Sequence, residues 1–187
     1  MLALQIKPES KSWHRDTPMA IWLKTKVHCR MSVTITFGTA KGLASKQPSE
    51  RTVEEIVRKG IKRINTLCHG NLVKRKGYSI GAVTVIEGKG QFERIHVHIG
   101  LDPPPNITLN RFSNIVASAF KPSKWIEQRP HMKKCWSQDW INYMLKFGQE
   151  ALVPSCCFAA KHPNAEPPTD LVSQGCRRIK VNVNDLD

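Results

Sequence analysis

The chain has 187 residues, and its twenty-nine Lys and Arg against fifteen Asp and Glu leave a formal net charge of +14. That length gives one domain, with room for an appendage and a core that needs no staples. No apolar run approaches the ~20 residues of a membrane span, and Lys7, Glu9, Lys11, His14, Arg15 and Asp16 leave no place for a signal-peptide apolar region.

The six cysteines (Cys29, Cys68, Cys135, Cys156, Cys157 and Cys176) form no CxxC pair, which favours reduced, intracellular thiols over a disulfide framework. The charge is uneven: sixteen of the basic residues but five of the acidic ones fall in residues 1–80. Such an excess points to a polyanionic partner, nucleic acid ahead of an anionic membrane surface, because no basic amphipathic helix carries a bulky apolar face.

Residues 1–30 read as a basic N-terminal arm, in which Ile21-Trp22-Leu23 is either a short strand or a segment packed on the domain. Residues 32–37 alternate β-branched and apolar types and predict a strand; a loop with Lys41, Gly42 and Lys46 follows. Thr52 and Glu55 match a capping box. Val53, Ile56, Val57, Ile61, Ile64 and Leu67 then recur at helical spacing, with Gly60 inside the helix and His69-Gly70 at its end. Lys74-Arg75-Lys76-Gly77 predicts a basic turn. Residues 78–87 predict a second strand, and Gly88-Lys89-Gly90 a tight turn into a third, residues 92–101.

Pro103-Pro104-Pro105 ends that strand, and Thr108 caps a helix carrying Leu109, Phe112, Ile115, Val116, Ala119 and Phe120. Residues 125–128 predict a short strand. Beyond Ser137, residues 139–150 predict a last helix with Trp140, Tyr143, Met144 and Phe147 at helical spacing. The composition shifts after Ala151, so residues 151–187 read as a proline-containing tail with one strand at 178–183. The order of elements within 31–150 predicts an α+β core: a central antiparallel sheet with helices on one face and an open second face.

The chemistry is concentrated in the third strand. Apolar residues at 95, 97, 99 and 101 alternate with His96 and His98, so both histidines project from one sheet face, about 7 Å apart. Taken alone, the pair is also what a polar sheet face carrying two histidines looks like. Glu87, at the end of the partner strand, adds a carboxylate and makes a mixed nitrogen and oxygen site suited to Mg²⁺, Mn²⁺ or another divalent ion. In isolation Glu87 is also an ordinary solvated hairpin end. Tyr143 and Lys146 stand three apart on the last helix and are therefore surface neighbours. An ammonium there can offset charge on a phenoxide or on a phosphate it attacks, or simply lie beside a core-edge phenol. A zinc site from Cys156, Cys157, His162 and Cys176 is conceivable but fits no common spacing.

Together these residues resemble the HUH endonuclease superfamily. His96-Val97-His98 matches its His-apolar-His strand, Tyr143-Met144-Leu145-Lys146 the Y-x-x-K motif of single-tyrosine rolling-circle replication initiators, and residues 33–37, loosely, the first-strand motif. The resemblance covers residues 31–150. It implies Glu87, His96 and His98 as ligands of Mn²⁺ or Mg²⁺, Tyr143 as nucleophile and Lys146 as its companion, on a fold of the RRM or ferredoxin-like kind. It also implies nicking and joining of single-stranded DNA at an origin or element end through a 5′-phosphotyrosine link, in the cytoplasm of a bacterial or archaeal host. Lys74, Arg75, Lys76, Lys133 and Lys134 would then hold the DNA backbone.

Single-tyrosine transposases of the same superfamily are the nearer alternative, but they take a further metal ligand four residues after the tyrosine, where this chain has Phe147. Relaxases carry an N-terminal tyrosine and three histidines, which are absent here. No GxxxxGK[ST] phosphate loop is present, so unwinding would fall to a host helicase or to supercoiling. The alternative from another class is a non-catalytic RNA- or single-stranded-DNA-binding module on the same sheet, although the aromatic strand motif such modules use is missing, with only Phe92 at the strand's start.

Overall fold

A computed structural model of the chain describes residues 18–38, 47–88, 94–121, 123–126, 128–135, 139–146 and 151–161. Residues 1–17, the loop with Lys41, Gly42 and Lys46, Lys89 to Glu93, Glu127, Ser137, Phe147, and the tail from His162 with its expected strand at 178–183 lie outside the described residues. The fold is α+β. Four strands, β1 (Met31–Thr36), β2 (Gly81–Glu87), β3 (His96–Asp102) and β4 (His131–Lys134), form one antiparallel sheet in the order β2-β3-β1-β4.

Period-2 alternation sorts the sheet into two faces. Met31, Val33, Ile35 and Phe37, with Ala82 and Ile86 and with Val97, Ile99 and Leu101, point to one side. There they meet Val53, Val57, Ile61 and Ile64 of α2 (Glu50–His69) and Phe112, Val116, Ala119 and Phe120 of α4 (Leu109–Phe120). This is the expected helical layer and holds the larger core. Thr108 caps α4 as expected, accepting from the Arg111 N–H at 3.3 Å. The cap of α2 is Ser49 rather than Thr52: the Ser49 hydroxyl accepts from the Thr52 N–H at 3.2 Å, so the helix starts one turn earlier than the Thr52–Glu55 pattern suggested.

The second face is not open. Here α1 (Pro18–Lys26), where a short strand or packed segment was expected, contributes Ala20 and Leu23, followed by Val27. α5 (Asp139–Met144) contributes Ile141 and Met144, and these residues pack on Val83 and Val85 of β2. The alternation of β2 explains this cover. Its residues are buried on both sides, which a half-solvated strand would not be. Helices therefore lie on both faces, and the second pair covers only part of its face.

Four segments also differ from expectation. The basic run 74–76 closes a one-turn helix, α3 (Leu72–Lys76), ended by left-handed Gly77. Ladder pairing opens at Glu87↔His96, so β3 starts at His96 and residues 88–95 form the connection. The last strand is β4 at 131–134 rather than 125–128; of the latter segment, Ile126 makes only an isolated bridge to Phe37. Residues 151–161, read as tail, run along the free edge of β2 through bridges Val85↔Leu152, Ala82↔Phe158 and Ser79↔Lys161, and bury Val153 and Cys156. No helix among the described residues is long and apolar enough to cross a membrane.

Gly60 is where α2 and α4 touch: a Cβ at this position would overlap the Phe120 ring, which is 2% exposed and has nowhere to go. Gly60→Ala therefore lowers stability by about 1–3 kcal/mol despite alanine's better helix propensity. Urea denaturation of Gly60→Ala with and without Phe120→Leu checks this. The double variant should recover much of the loss, and an unchanged midpoint for Gly60→Ala alone would refute the contact.

Candidate metal centre and tyrosine

The register of the β2–β3 hairpin builds the centre. Glu87 stands directly across from His96, and His98 lies one same-face step along β3, across from Val85 on one side and Thr34 on the other. The three side chains emerge from the face that α1 and α5 partly cover, beyond the apolar patch of Val83 and Val85. Glu87 Oε2 lies 3.2 Å from His96 Nε2 and 3.5 Å from His98 Nε2. One candidate ligand atom from each of the three residues lies within 4.8 Å of the others, and no other such group of His, Cys, Asp and Glu occurs among the described residues. The tail zinc possibility finds no support there, since Cys156 is buried in the α2 core and His162 and Cys176 lie outside the described residues.

Each imidazole is oriented by its second nitrogen. His96 Nδ1 faces the Arg94 carbonyl oxygen at 3.0 Å. A carbonyl can only accept, so Nδ1 carries a proton, and Nε2 is turned towards Glu87. His98 Nδ1 meets the Thr34 hydroxyl at 3.0 Å, which fixes the ring with Nε2 inward in the same way. Burial drives His98 below its usual value, against the opposing pull of Glu87, so at neutral pH it presents a neutral imidazole. Gly88 keeps the turn close: its φ of 75° is in the left-handed region, and a Cβ there would overlap the Arg94 carbonyl that holds His96.

A buried carboxylate oxygen within 3.5 Å of two imidazole nitrogens calls for positive charge among them. Glu87 is 6% exposed, and its other oxygen, Oε1, is buried with no hydrogen-bond partner among the described residues. An orphaned carboxylate oxygen beside inward-facing nitrogens fits a hard or borderline divalent cation. Part of the charge is already present in the chain: Lys146 Nζ lies 3.3 Å from Glu87 Oε2.

Tyr143 reaches this centre through α5. Ile141 and Met144 anchor the helix in the apolar patch, which leaves Trp140 and Tyr143 on the flank next to His98. The two rings stack at 4.9 Å and 20°, and His98 meets both edge-on, at 5.9 Å to Trp140 and 6.2 Å to Tyr143. Tyr143 is nonetheless 41% exposed, one of two exposed large hydrophobic residues among the described residues. Lys146, in the turn that ends α5, lies over the Tyr143 ring at 4.1 Å and is hydrogen-bonded to it. Burial pulls the Lys146 ammonium down, but the bond to Tyr143 and the charge of Glu87 outweigh it and raise the lysine above its usual value. It is a fixed cation between the carboxylate and the phenol.

Glu87, His96, His98, Tyr143 and Lys146 thus converge. The five basic residues expected at DNA do not. Lys74, Arg75 and Lys76 are exposed on α3, which leads into the opposite end of β2, roughly 20 Å along the strand from Glu87. Lys133, paired with Ser32, shares the sheet face of His98, whereas Lys134, paired with Met31, points to the other face. Sequence reasoning passed over Thr34, Trp140 and exposed His131, which pairs with Thr34 and extends the His98 row across the sheet. Only the register reveals Thr34 and His131; Trp140 was visible at helical spacing, but its stacking on Tyr143 was not. The chain matches no protein-family model, no curated protein and no solved structure.

Mn²⁺ titration followed by calorimetry or electron paramagnetic resonance tests the centre. His98→Ala and Glu87→Gln should each weaken binding by about 10–100-fold, while Lys146→Met should tighten it about tenfold by removing a competing cation, roughly 1.4 kcal/mol. Equal affinity in the His98→Ala variant would remove the metal assignment.

Proposed function

We propose that the protein nicks and rejoins single-stranded DNA by transesterification on Tyr143, as a divalent-metal-dependent endonuclease of the HUH kind that initiates rolling-circle replication of a plasmid, phage or integrated element. The observation that carries this reading is the meeting of an exposed tyrosine, a fixed lysine and a buried Glu-His-His group on one sheet face. No purely structural role requires all five at that point. The four-stranded sheet order and the chain's +14 charge agree with it.

The residues divide the work as follows. Glu87, His96 and His98 would hold the ion, which when bound supplies positive charge for the non-bridging oxygens of the scissile phosphate. Tyr143 Oη attacks phosphorus. The phosphorus–O3′ bond breaks, the 3′ oxygen leaves as a hydroxyl after taking a proton from water, and the 5′ side stays on the tyrosine. Lys146 is already protonated, so it acts as charge partner of the phenoxide rather than as its base, and the phenol proton passes to the water that reaches the exposed side chain. Trp140 keeps the Tyr143 ring from rotating away. The reverse attack by a 3′-hydroxyl restores a phosphodiester and needs no nucleotide cofactor.

Replication is preferred to transposition because Phe147, four residues after the tyrosine, offers no metal-binding atom. Lys133 and His131 on β4 share the face on which the strand would run, and α3 would act only on DNA that continues past the sheet.

A pool of single-stranded oligonucleotides with Mn²⁺ should yield a denaturation-resistant protein–DNA adduct. Tyr143→Phe should abolish it, a loss of at least about 10³-fold, while leaving Mn²⁺ affinity within about threefold of wild type. An adduct that survives in Tyr143→Phe sinks the nucleophile assignment. Salt-sensitive binding with intact strands would instead mark a non-catalytic binding module.

A further inference from the structure

Two cysteines far apart in the chain are brought together by the β1–β4 ladder. Cys29 lies two residues ahead of β1 and Cys135 directly after β4. The pairing Met31↔Lys134 is continued by a bond from the Cys135 N–H to the Arg30 carbonyl, 3.0 Å. Residues 106 apart in sequence thereby meet with their sulfurs 3.4 Å apart, the Cys29 thiol donating to Cys135 Sγ. Closing that gap to a bond needs a movement of about 1.4 Å, well within a χ1 adjustment.

The two sulfurs differ in a useful way. Cys29 is buried, pressed against Gly100 so closely that a Cβ there would lie 2.9 Å from its sulfur. Cys135 is only half-buried. The Cys29 hydrogen bond, against the effect of burial and with help from Ser32, brings the Cys135 thiol down to about 7, and the same bond followed by burial raises Cys29. The other described cysteines lack such a partner and are held up by burial, Cys157 to about 11 and Cys68 to about 12. Cys135 therefore has the character of an attacking thiol, and Cys29 that of a resolving one.

We propose that Cys29 and Cys135 form a redox-active dithiol that closes to an intramolecular disulfide joining the start of β1 to the segment leading into α5. The oxidant is a low-molecular-weight disulfide. The Cys135 thiolate attacks one of its sulfurs and releases one thiolate; Cys29 then loses its proton and attacks Cys135 Sγ, releasing the second. Two protein thiols are oxidised by two electrons and the small disulfide is reduced to two thiols. The bond would sit four residues ahead of Asp139, where the tyrosine-bearing helix begins, and close to Met144, whose sulfur, like that of Cys29, lies against Gly100. The pair stands independently of the reading of the tyrosine site.

The full-length wild-type chain is equilibrated in glutathione buffers of increasing oxidised fraction, alkylated, and mapped by peptide mass spectrometry. The expected result is a single two-thiol step, a mass loss of about 2 Da, with Cys29 and Cys135 in one linked peptide before any other pair. Under reducing conditions at pH 7, Cys135 should also take up iodoacetamide at least about tenfold faster than Cys68. Cys29→Ser should trap the mixed disulfide on Cys135. A first disulfide between other cysteines, or Cys135 reacting no faster than Cys68, overturns the proposal, and neither reading requires a variant to fold.

Discussion

Everything distinctive about this protein depends on a carboxylate that cannot stay where it is without positive charge around it. Glu87 is nearly buried, and its Oε2 collects His96 Nε2, His98 Nε2 and Lys146 Nζ within 3.5 Å. Leaving such a group unpaired would cost several kcal/mol. The sheet must therefore hold its register to the residue: a slip of one position between β2 and β3 would turn the histidines into the α2–α4 core and carry Val97 and Ile99 out of it. Hydrophobic packing and site geometry are thus locked by the same ladder.

The second sheet face is divided between two jobs. Towards the start of β2 it is apolar and dry, closed by Leu23 and Val27 on one side and Ile141 and Met144 on the other over Val83 and Val85. Towards the end of β2 it turns polar at Glu87. The boundary runs under α5, which is why six residues suffice to deliver the tyrosine. The helix is too short to be stable alone and takes its position from the apolar side chains it buries, Ile141 and Met144. A Cβ on Gly100 would meet both the Cys29 and the Met144 sulfurs, so the state of that thiol bears directly on the floor beneath the helix.

What could be read in the sequence was whatever is coded by local periodicity. The alternation around His96 and His98, the helical spacing of Val53 to Leu67, and the i, i+3 step from Tyr143 to Lys146 all survive translation into three dimensions, as does the Thr108 cap. What escaped was set by partners distant in sequence. β4 is four residues of His, Met and Lys with no strand pattern, and it exists because β1 has a free edge to pair with. Glu87 was placed near the histidines from the hairpin, but that Lys146 would reach the same oxygen could not be read from either segment alone. α1 carries no clear apolar stripe in sequence; the sheet face that it covers selects Ala20 and Leu23. Gly60, read only as a position inside a helix, is a contact surface for Phe120.

Lys146 has the most consequential position, because it serves two groups that pull in opposite directions. At 3.3 Å from Glu87 the Coulomb attraction is about 5 kcal/mol at an effective dielectric of 20, before desolvation is subtracted. The same ammonium lies 4.1 Å from the centre of the Tyr143 ring. Glu87 Oε2 cannot give full strength to an ammonium and to a divalent cation at once. As its hold on Lys146 slackens, the ammonium is left with Tyr143, whose ring it already covers. On the proposed reaction, Glu87, His96 and His98 would hold the ion, and Lys146, already against Tyr143, would remain as the charge partner of the phenoxide. A glutamine at position 87 would break that link even if some metal were retained, because a neutral side chain neither holds the lysine nor lets it go.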